Sequence, residues 1–276
     1  MFQPVALITG CSSGIGRALA DAFRESGYAV WATARRDEDV AVLDQAGFRG
    51  VRLDVTDSAA VAALAERLRS EVGGLDVLIN NAGYGAMGPL LDGGAEVLRQ
   101  QFETNVFAVI ELSRACLPLL RERKGTLVNI GSVSGVLVTP FAGAYCASKA
   151  AVHALNEALR LELAPFGIAV LEVQPGAIAS SFGANANRSL EGVVAEDSPW
   201  WPLREFIRAR ANASQDKPTP ATELARQVLG TIHRNPVPRL LRVGHGSRAL
   251  PLLARWLPTA LLDRALKKRF GLNGQL

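Results

Sequence analysis

The chain has 276 residues, 49% of them hydrophobic and 20% charged, with 26 Gly and 14 Pro; that is enough apolar material for a sizeable core and too much for a disordered chain. No window reaches the roughly 18 consecutive apolar residues of a membrane span, MFQPVALITG lacks the basic start of a secretory leader, and Cys11, Cys116 and Cys146 have neither disulfide-framework nor zinc-site spacing. The formal charge of +4 is uneven: from Arg234 onward there are 9 basic residues and 1 acidic, against 21 and 25 before it, so nucleic-acid binding is not expected and a cytoplasmic domain is.

In chain order, PVALITG reads as a strand and Ile15 to Ser26 as a helix with Ala18, Leu19, Ala22 and Phe23 on one face. YAVWATA, GVRLDV and LDVLIN are the next three strands, separated by helices over Asp37 to Ala46 and Ser58 to Val72. One long helix is expected from about Ala95 to Arg123, then the strand GTLVNIGS, a helix over Tyr145 to Ala164 and the strand GIAVLEV. Strands apolar on both faces, alternating with helices of ten or more residues, predict a doubly wound parallel sheet of the Rossmann-like α/β class. Residues 177–222 break the pattern with SSFGANANRS, SPWWPLREF and KPTP, which marks a substrate loop. A helix over Ala221 to His233 and the strand PRLLRVG complete a catalytic domain of residues 1–246; residues 247–276 form an apolar, basic helical extension of it.

TGCSSGIGRA places Gly10, Gly14 and Gly16 between the first strand and the first helix. Glycines there let the backbone approach a pyrophosphate that the helix N-terminus attracts. The spacing is G-x-x-x-G-x-G, not the commoner G-x-G-x-x-G, so position carries the inference. At the end of the second strand an NAD site wants an acid. The sequence there reads Ala34, Arg35, Arg36, and two guanidiniums suit the 2′-phosphate of NADP. Asp37 nearby keeps NAD as the alternative.

Tyr145 and Lys149 sit one helical turn apart in AYCASK. With 3 tyrosines and 5 lysines in the chain, a Tyr-x-x-x-Lys pair arises by chance only about 0.05 times. TGCSSGIG, NNAG (Asn80 to Gly83), Asn105, NIGSVSG with Ser132, YCASK and PGAIAS occur in the order and spacing of the short-chain dehydrogenase/reductase family. The chain resembles that family from about Pro4 to Ser180, most closely its hydroxysteroid and retinol dehydrogenase branch.

The resemblance implies hydride transfer with Tyr145 as acid/base, Lys149 lowering its pKa and holding the nicotinamide ribose, Ser132 binding the substrate oxygen, and Asn105 holding a water in a proton relay. Ser134 competes with Ser132 for its role. For the cofactor it implies Ser12 and Ile15 at the phosphates, Asp54 at the adenine, Asn81 at the adenosine ribose, Ile178 at the carboxamide, and Ser180 where the family often has threonine. Cys146 projects about 100° from Tyr145 round the helix and reads as packing; His153, a further turn along, reads as a packed helix residue.

The expected substrate is a small-molecule carbonyl or alcohol, bulky and hydrophobic (steroid-, retinoid- or lipid-like). Phe182, Trp200, Trp201, Phe206 and Ile207 are expected either to line an apolar lid or to pack the loop onto the body. Reduction of 3-oxoacyl thioesters and a catalytically idle cofactor sensor are the rival functions; intact Ser132, Tyr145 and Lys149 weigh against the sensor. The Leu-, Trp- and Arg-rich tail is expected either to pack beside the substrate pocket or at a subunit interface, or to make peripheral membrane contact, and a homodimer or homotetramer is the expected assembly.

Overall fold

A computed structural model of the chain describes residues 3–180, 182 and 194–274. Seven parallel strands form one sheet in the order β3-β2-β1-β4-β5-β6-β7: β1 (Val5–Ile8), β2 (Ala29–Ala34), β3 (Arg49–Arg52), β4 (Val77–Asn80), β5 (Thr126–Ile130), β6 (Ala169–Pro175) and β7 (Leu240–Val243). The first six helices are α1 (Gly14–Glu25), α2 (Asp37–Gln45), α3 (Ser58–Val72), α4 (Leu90–Phe102), α5 (Ala108–Arg123) and α6 (Gly143–Leu163). Four more helical segments of a full turn or longer follow among the described residues, over Arg204–Asn212, Ala221–Ile232, Ala249–Trp256 and Thr259–Arg269.

The period-2 alternation of each strand supplies both faces of the sheet. Ala6 and Ile8 of β1, with Val77 and Ile79 of β4, join Leu19, Phe23, Leu43 and Val228 in a core beneath α1, α2 and Ala221–Ile232. Leu7 and Leu78 point the other way, to Leu64, Leu68, Leu112 and Leu119 of α3 and α5. This two-sided burial explains why the central strand β1 is apolar throughout, whereas the edge strand β3 carries the exposed Arg49 and Arg52.

Two expectations change. The single helix from Ala95 to Arg123 is instead α4, a π-helical turn over Glu103–Phe107, and α5. The extra residue per turn rotates Asn105 inward, where it is 1% exposed. The loop expected to be irregular contains the helix Arg204–Asn212, hidden in REFIRARAN because its many charged residues mask a narrow stripe of Ile207 and Ala211. Its SSFGANANRS portion lies mostly outside the described residues.

Across the ends of β4 and β5 runs a buried amide ladder. Asn80 Nδ2 donates to Asn129 Oδ1 at 2.8 Å and to Ser113 Oγ of α5 at 3.1 Å; Asn129 Nδ2 donates to Asn156 Oδ1 of α6 at 2.6 Å. Paired, these amides tie both helices to the sheet; unpaired, each carries its full desolvation penalty. Asn129→Val is therefore expected to destabilise the fold by about 2–3 kcal/mol in urea unfolding. A change below roughly 0.5 kcal/mol would remove the ladder from the account of stability.

Candidate active site

Strand order reverses between β1 and β4, and the carboxyl ends of the strands there open into a cavity of about 1080 Å³. Doubly wound sheets bind ligands at this switch point. The glycine loop forms its floor. Gly10 and Gly14 have φ of +72° and +59°, the left-handed region that glycine enters without strain. A Cβ on Gly16 would collide with the Gly10 carbonyl and the Asn81 amide. Ser13, at the start of α1, makes no side-chain cap, so the N–H groups of the first turn remain available to an anion. Asn81 Nδ2 clamps the loop from β4, donating to the carbonyls of Thr9 at 2.8 Å and Gly10 at 3.2 Å.

Ser12, Ile15, Arg35, Asp54, Ile178 and Ser180 all line the same cavity. Asp54 accepts from the N–H and hydroxyl of Thr56 at 3.0 and 2.8 Å. Those bonds hold its carboxyl below the usual range, so it stays an acceptor at neutral pH. Arg36 is different. It opens α2 and turns onto Asp39 in a two-point ion pair at 2.8 and 3.0 Å, its side chain 73% exposed, and it is absent from the cavity wall. A carboxylate three residues along the same helix captures it locally.

Ser132, Tyr145 and Lys149 all line the cavity, 7%, 8% and 8% exposed. The Ser132 side chain lies close enough to the Tyr145 hydroxyl to favour its ionised form. Ser134 instead donates its backbone N–H to Ser132 Oγ at 3.1 Å, a bond that fixes the Ser132 side chain. Lys149 Nζ donates to the Ile130 carbonyl at the end of β5 at 2.6 Å and lies 6.0 Å from the Tyr145 ring centre. Burial pushes the Tyr145 phenol up to about 12, against smaller downward pulls from Ser132 and Arg210. The same burial brings the Lys149 ammonium down to about 8, so at neutral pH it keeps its charge.

Asn105 does not face the cavity. Its Oδ1 accepts from Tyr84 N at 3.2 Å, and its Nδ2 donates to Tyr84 O at 3.0 Å and Ser148 Oγ at 3.1 Å. Ser148 in turn donates to the Tyr145 carbonyl at 2.8 Å. Both amide hydrogens are thus engaged, so the side chain braces the first turn of α6 rather than offering a donor to a water. His153 Nε2 lies 3.4 Å from Ser132 N and 3.2 Å from Glu172 Oε1. Burial lowers its pKa to about 4, and it is a neutral packing group behind Ser132. Cys146 is buried against Met87 and Tyr145.

Of the loop aromatics, Phe182 reaches the cavity, its ring centre 5.3 Å from that of Tyr145. Trp200 and Ile207 pack with Phe141, Leu203 and Phe270 and anchor the loop to the tail. One contribution to the wall escaped the sequence reading: Arg210, 8% exposed. A row of leucines from the C-terminal tail also lines the cavity, one of the placements expected for that tail.

The family model for the short chain dehydrogenase matches residues 4–191. A 3-ketodihydrosphingosine reductase of Bacteroides thetaiotaomicron is 42% identical over 68% of this chain and 69% of its own. An NADPH-dependent 1-acyldihydroxyacetone phosphate reductase of Saccharomyces cerevisiae is 32% identical over 98% of this chain and 92% of its own. Among solved structures, a short chain dehydrogenase/reductase of Burkholderia phymatum in complex with NAD has a TM-score of 0.79 at 27% identity, covering 100% of this chain and 99% of that one. The chain belongs to the short-chain dehydrogenase/reductase family, a family of oxidoreductases.

Proposed function

We propose that this member of the short-chain dehydrogenase/reductase family is an NADP(H)-dependent oxidoreductase acting on the carbonyl or alcohol of a bulky, hydrophobic, lipid-like substrate. The observation that carries it is the convergence of Ser132, Tyr145 and Lys149 in the cavity that the glycine loop also lines. That loop fits a dinucleotide: the uncapped first turn of α1 offers N–H donors, and Gly16 leaves room that any side chain would fill. Arg35 beside Ala34 supports NADP, as does the NADPH dependence in the name of the yeast relative. The NAD-bound neighbour keeps NAD as the alternative. Both named relatives are reductases of lipid-like ketones, which supports such a substrate over a small polar one.

The nicotinamide supplies or accepts the hydride at the substrate carbon. The protein handles the oxygen. A carbonyl oxygen between the Ser132 and Tyr145 hydroxyls accepts two hydrogen bonds, which strengthen as negative charge develops on it. Held protonated by burial, Tyr145 is a proton donor suited to the reductive direction. The Lys149 ammonium, anchored on the Ile130 carbonyl, stabilises the phenolate that remains. Running in reverse requires roughly 5 units of pKa lowering to work as a base near pH 7. That demand falls on the positive charges of Lys149 and the oxidised ring. Asn105 and Ser148 are positioning residues for Tyr145.

The two C-terminal helices expose Leu252, Trp256 and Leu261 (54, 74 and 53%) beside Arg255 and Lys267. This arrangement supports peripheral contact with an anionic membrane surface.

Four outcomes are expected. Tyr145→Phe lowers kcat for ketone reduction by about 10³-fold or more with coenzyme affinity retained, and wild-type kcat/KM falls as pH rises through about 8, where Lys149 loses its proton. Undiminished turnover in the variant would overturn the mechanism; a pH profile flat to 9.5 would remove Lys149 charge from it. Arg35→Ala lowers kcat/KM with NADPH about tenfold more than with NADH, and equal losses with both would point to NAD. Wild type cosediments with phosphatidylserine vesicles at low salt and Trp256→Glu binds them at least about fivefold more weakly; no sedimentation of wild type would sink the membrane contact. Across substrates, a panel of long-chain ketones against 3-oxoacyl thioesters separates the rival reductase activity.

A further inference from the structure

The wall of the cavity opposite the glycine loop comes from the chain after β6. Arg210 stands there on the helix Arg204–Asn212, 8% exposed, lining the cavity with Ser132 and Tyr145. Its Nε donates to Thr139 Oγ1 at 2.7 Å, and the Cys146 thiol is a neighbour. A buried arginine ordinarily faces a carboxylate. Among the described residues none forms an ion pair with Arg210; the one carboxylate of its own helix, Glu205, pairs with Arg208. Asp216 lines the cavity too, but it is exposed and does not figure among the charges acting on Arg210. The charged side chain that does act on it is Arg269, exposed at the end of the last helix and lining the same cavity.

Two guanidiniums therefore line one cavity, in which Arg210 is bonded to the Thr139 hydroxyl and neighbours Cys146 and Tyr145. Like charges held together in a partly dry site repel until an anion lies between them. Arginine's planar fork matches the paired oxygens of a phosphate or carboxylate. Beyond them the cavity is apolar, walled by Leu250, Leu253, Leu257, Leu262 and Leu266 of the two C-terminal helices. Cationic and apolar surfaces thus adjoin, with Tyr145 beside the cationic part.

We propose that Arg210, with Arg269 at the mouth, is the subsite for an anionic group of the substrate, a phosphate monoester or a carboxylate. The substrate is then an anionic amphiphile, with its carbonyl at Tyr145 and its hydrocarbon along the leucines. This rests on the oxidoreductase reading for the carbonyl, whereas the anion subsite can be measured without turnover. A neutral sterol or retinoid would leave Arg210 unpaired, and a cationic amino ketone would be repelled. The competing role for Arg210 is purely electrostatic, since its charge also pulls the Tyr145 pKa down. That role predicts an effect on kcat that ignores the substrate's charge.

The test measures binding of dead-end ligands to the coenzyme-loaded protein by calorimetry, below their micellar concentrations: dodecyl phosphate, laurate, dodecanol and inorganic phosphate. Dodecyl phosphate or laurate is expected to bind at least about tenfold more tightly than dodecanol and than inorganic phosphate. Arg210→Met should bring the anion-to-alcohol ratio near one, and Arg210→Lys should restore part of it. Arg269→Gln, a change at an exposed position, should reduce the ratio and serves if the Arg210 variants do not fold, as judged by coenzyme binding and thermal melting. Equal affinity for dodecanol and dodecyl phosphate in wild type would overturn the proposal. So would equal affinity for inorganic and dodecyl phosphate, or an Arg210→Met loss of the same factor for every ligand. If no ketone is turned over but the ratios behave as expected, the oxidoreductase reading fails and the anion subsite stands. If neutral ketones are turned over and anionic ligands show no advantage, only the subsite fails.

Discussion

The arrangement depends on one buried ammonium. Lys149 is 8% exposed and its Nζ is bonded to the Ile130 carbonyl at 2.6 Å. A charge so placed must keep that acceptor, because losing it would leave an uncompensated cation in a desolvated site. The bond therefore sets the position of α6 against the end of β5. Tyr145, one turn earlier, then faces Ser132, which follows the same strand. The amide ladder from Asn80 through Asn129 to Asn156 holds the same helix to the sheet a turn and more further along. Its buried polar groups act as a register device between elements whose packing is otherwise apolar and non-directional.

A second tier of bonds shapes the approach to this pair. The π turn at Glu103–Phe107 brings the Asn105 amide inward to the main chain of Tyr84 and to Ser148. The loop after β4 is thereby joined to the first turn of α6. Gln101 adds to the brace, accepting from Ala86 N at 2.7 Å and donating to Tyr84 O at 2.9 Å. A regular helix through Asn105 would rotate these side chains away from that loop. The local irregularity is what lets one segment support the other, and single-turn π segments recur at functional sites for that reason.

The cavity has two halves of different origin. The strand ends and the glycine loop build a polar half by main-chain geometry, with N–H groups and glycines where a diphosphate would approach. The segment after β6 and the C-terminal helices build an apolar half carrying Arg210. Phe141, Ile207 and Phe270 clamp the second half together, so the tail belongs to the site's wall rather than hanging from it. Leu252, Trp256 and Leu261 of the same two helices are turned outward and exposed.

Alternating apolar runs and amphipathic helices were legible in the sequence because burial on both faces of a parallel sheet leaves a periodic record. The glycine loop, Ser132, Tyr145 and Lys149 were legible because each needs a particular residue type at a particular spacing. Arg35 and Arg36 are neighbours in the sequence, yet Arg36 is held by Asp39 while Arg35 lines the cavity; the competition between a local carboxylate and the site is spatial. The π turn was invisible since one extra residue per turn leaves no compositional trace. In the sequence Arg210 is one of four charged residues in REFIRARAN. Only the tertiary structure, folding a distant helix and the tail over Tyr145, turned it into a buried cation with no carboxylate partner among the described residues. The sequence by itself determined the sheet, the glycine loop and the set of Ser132, Tyr145 and Lys149 that lines the cavity, all of which depend on local order along the chain. The shape and charge of the apolar half depended on contacts between segments far apart, and these no local pattern encodes.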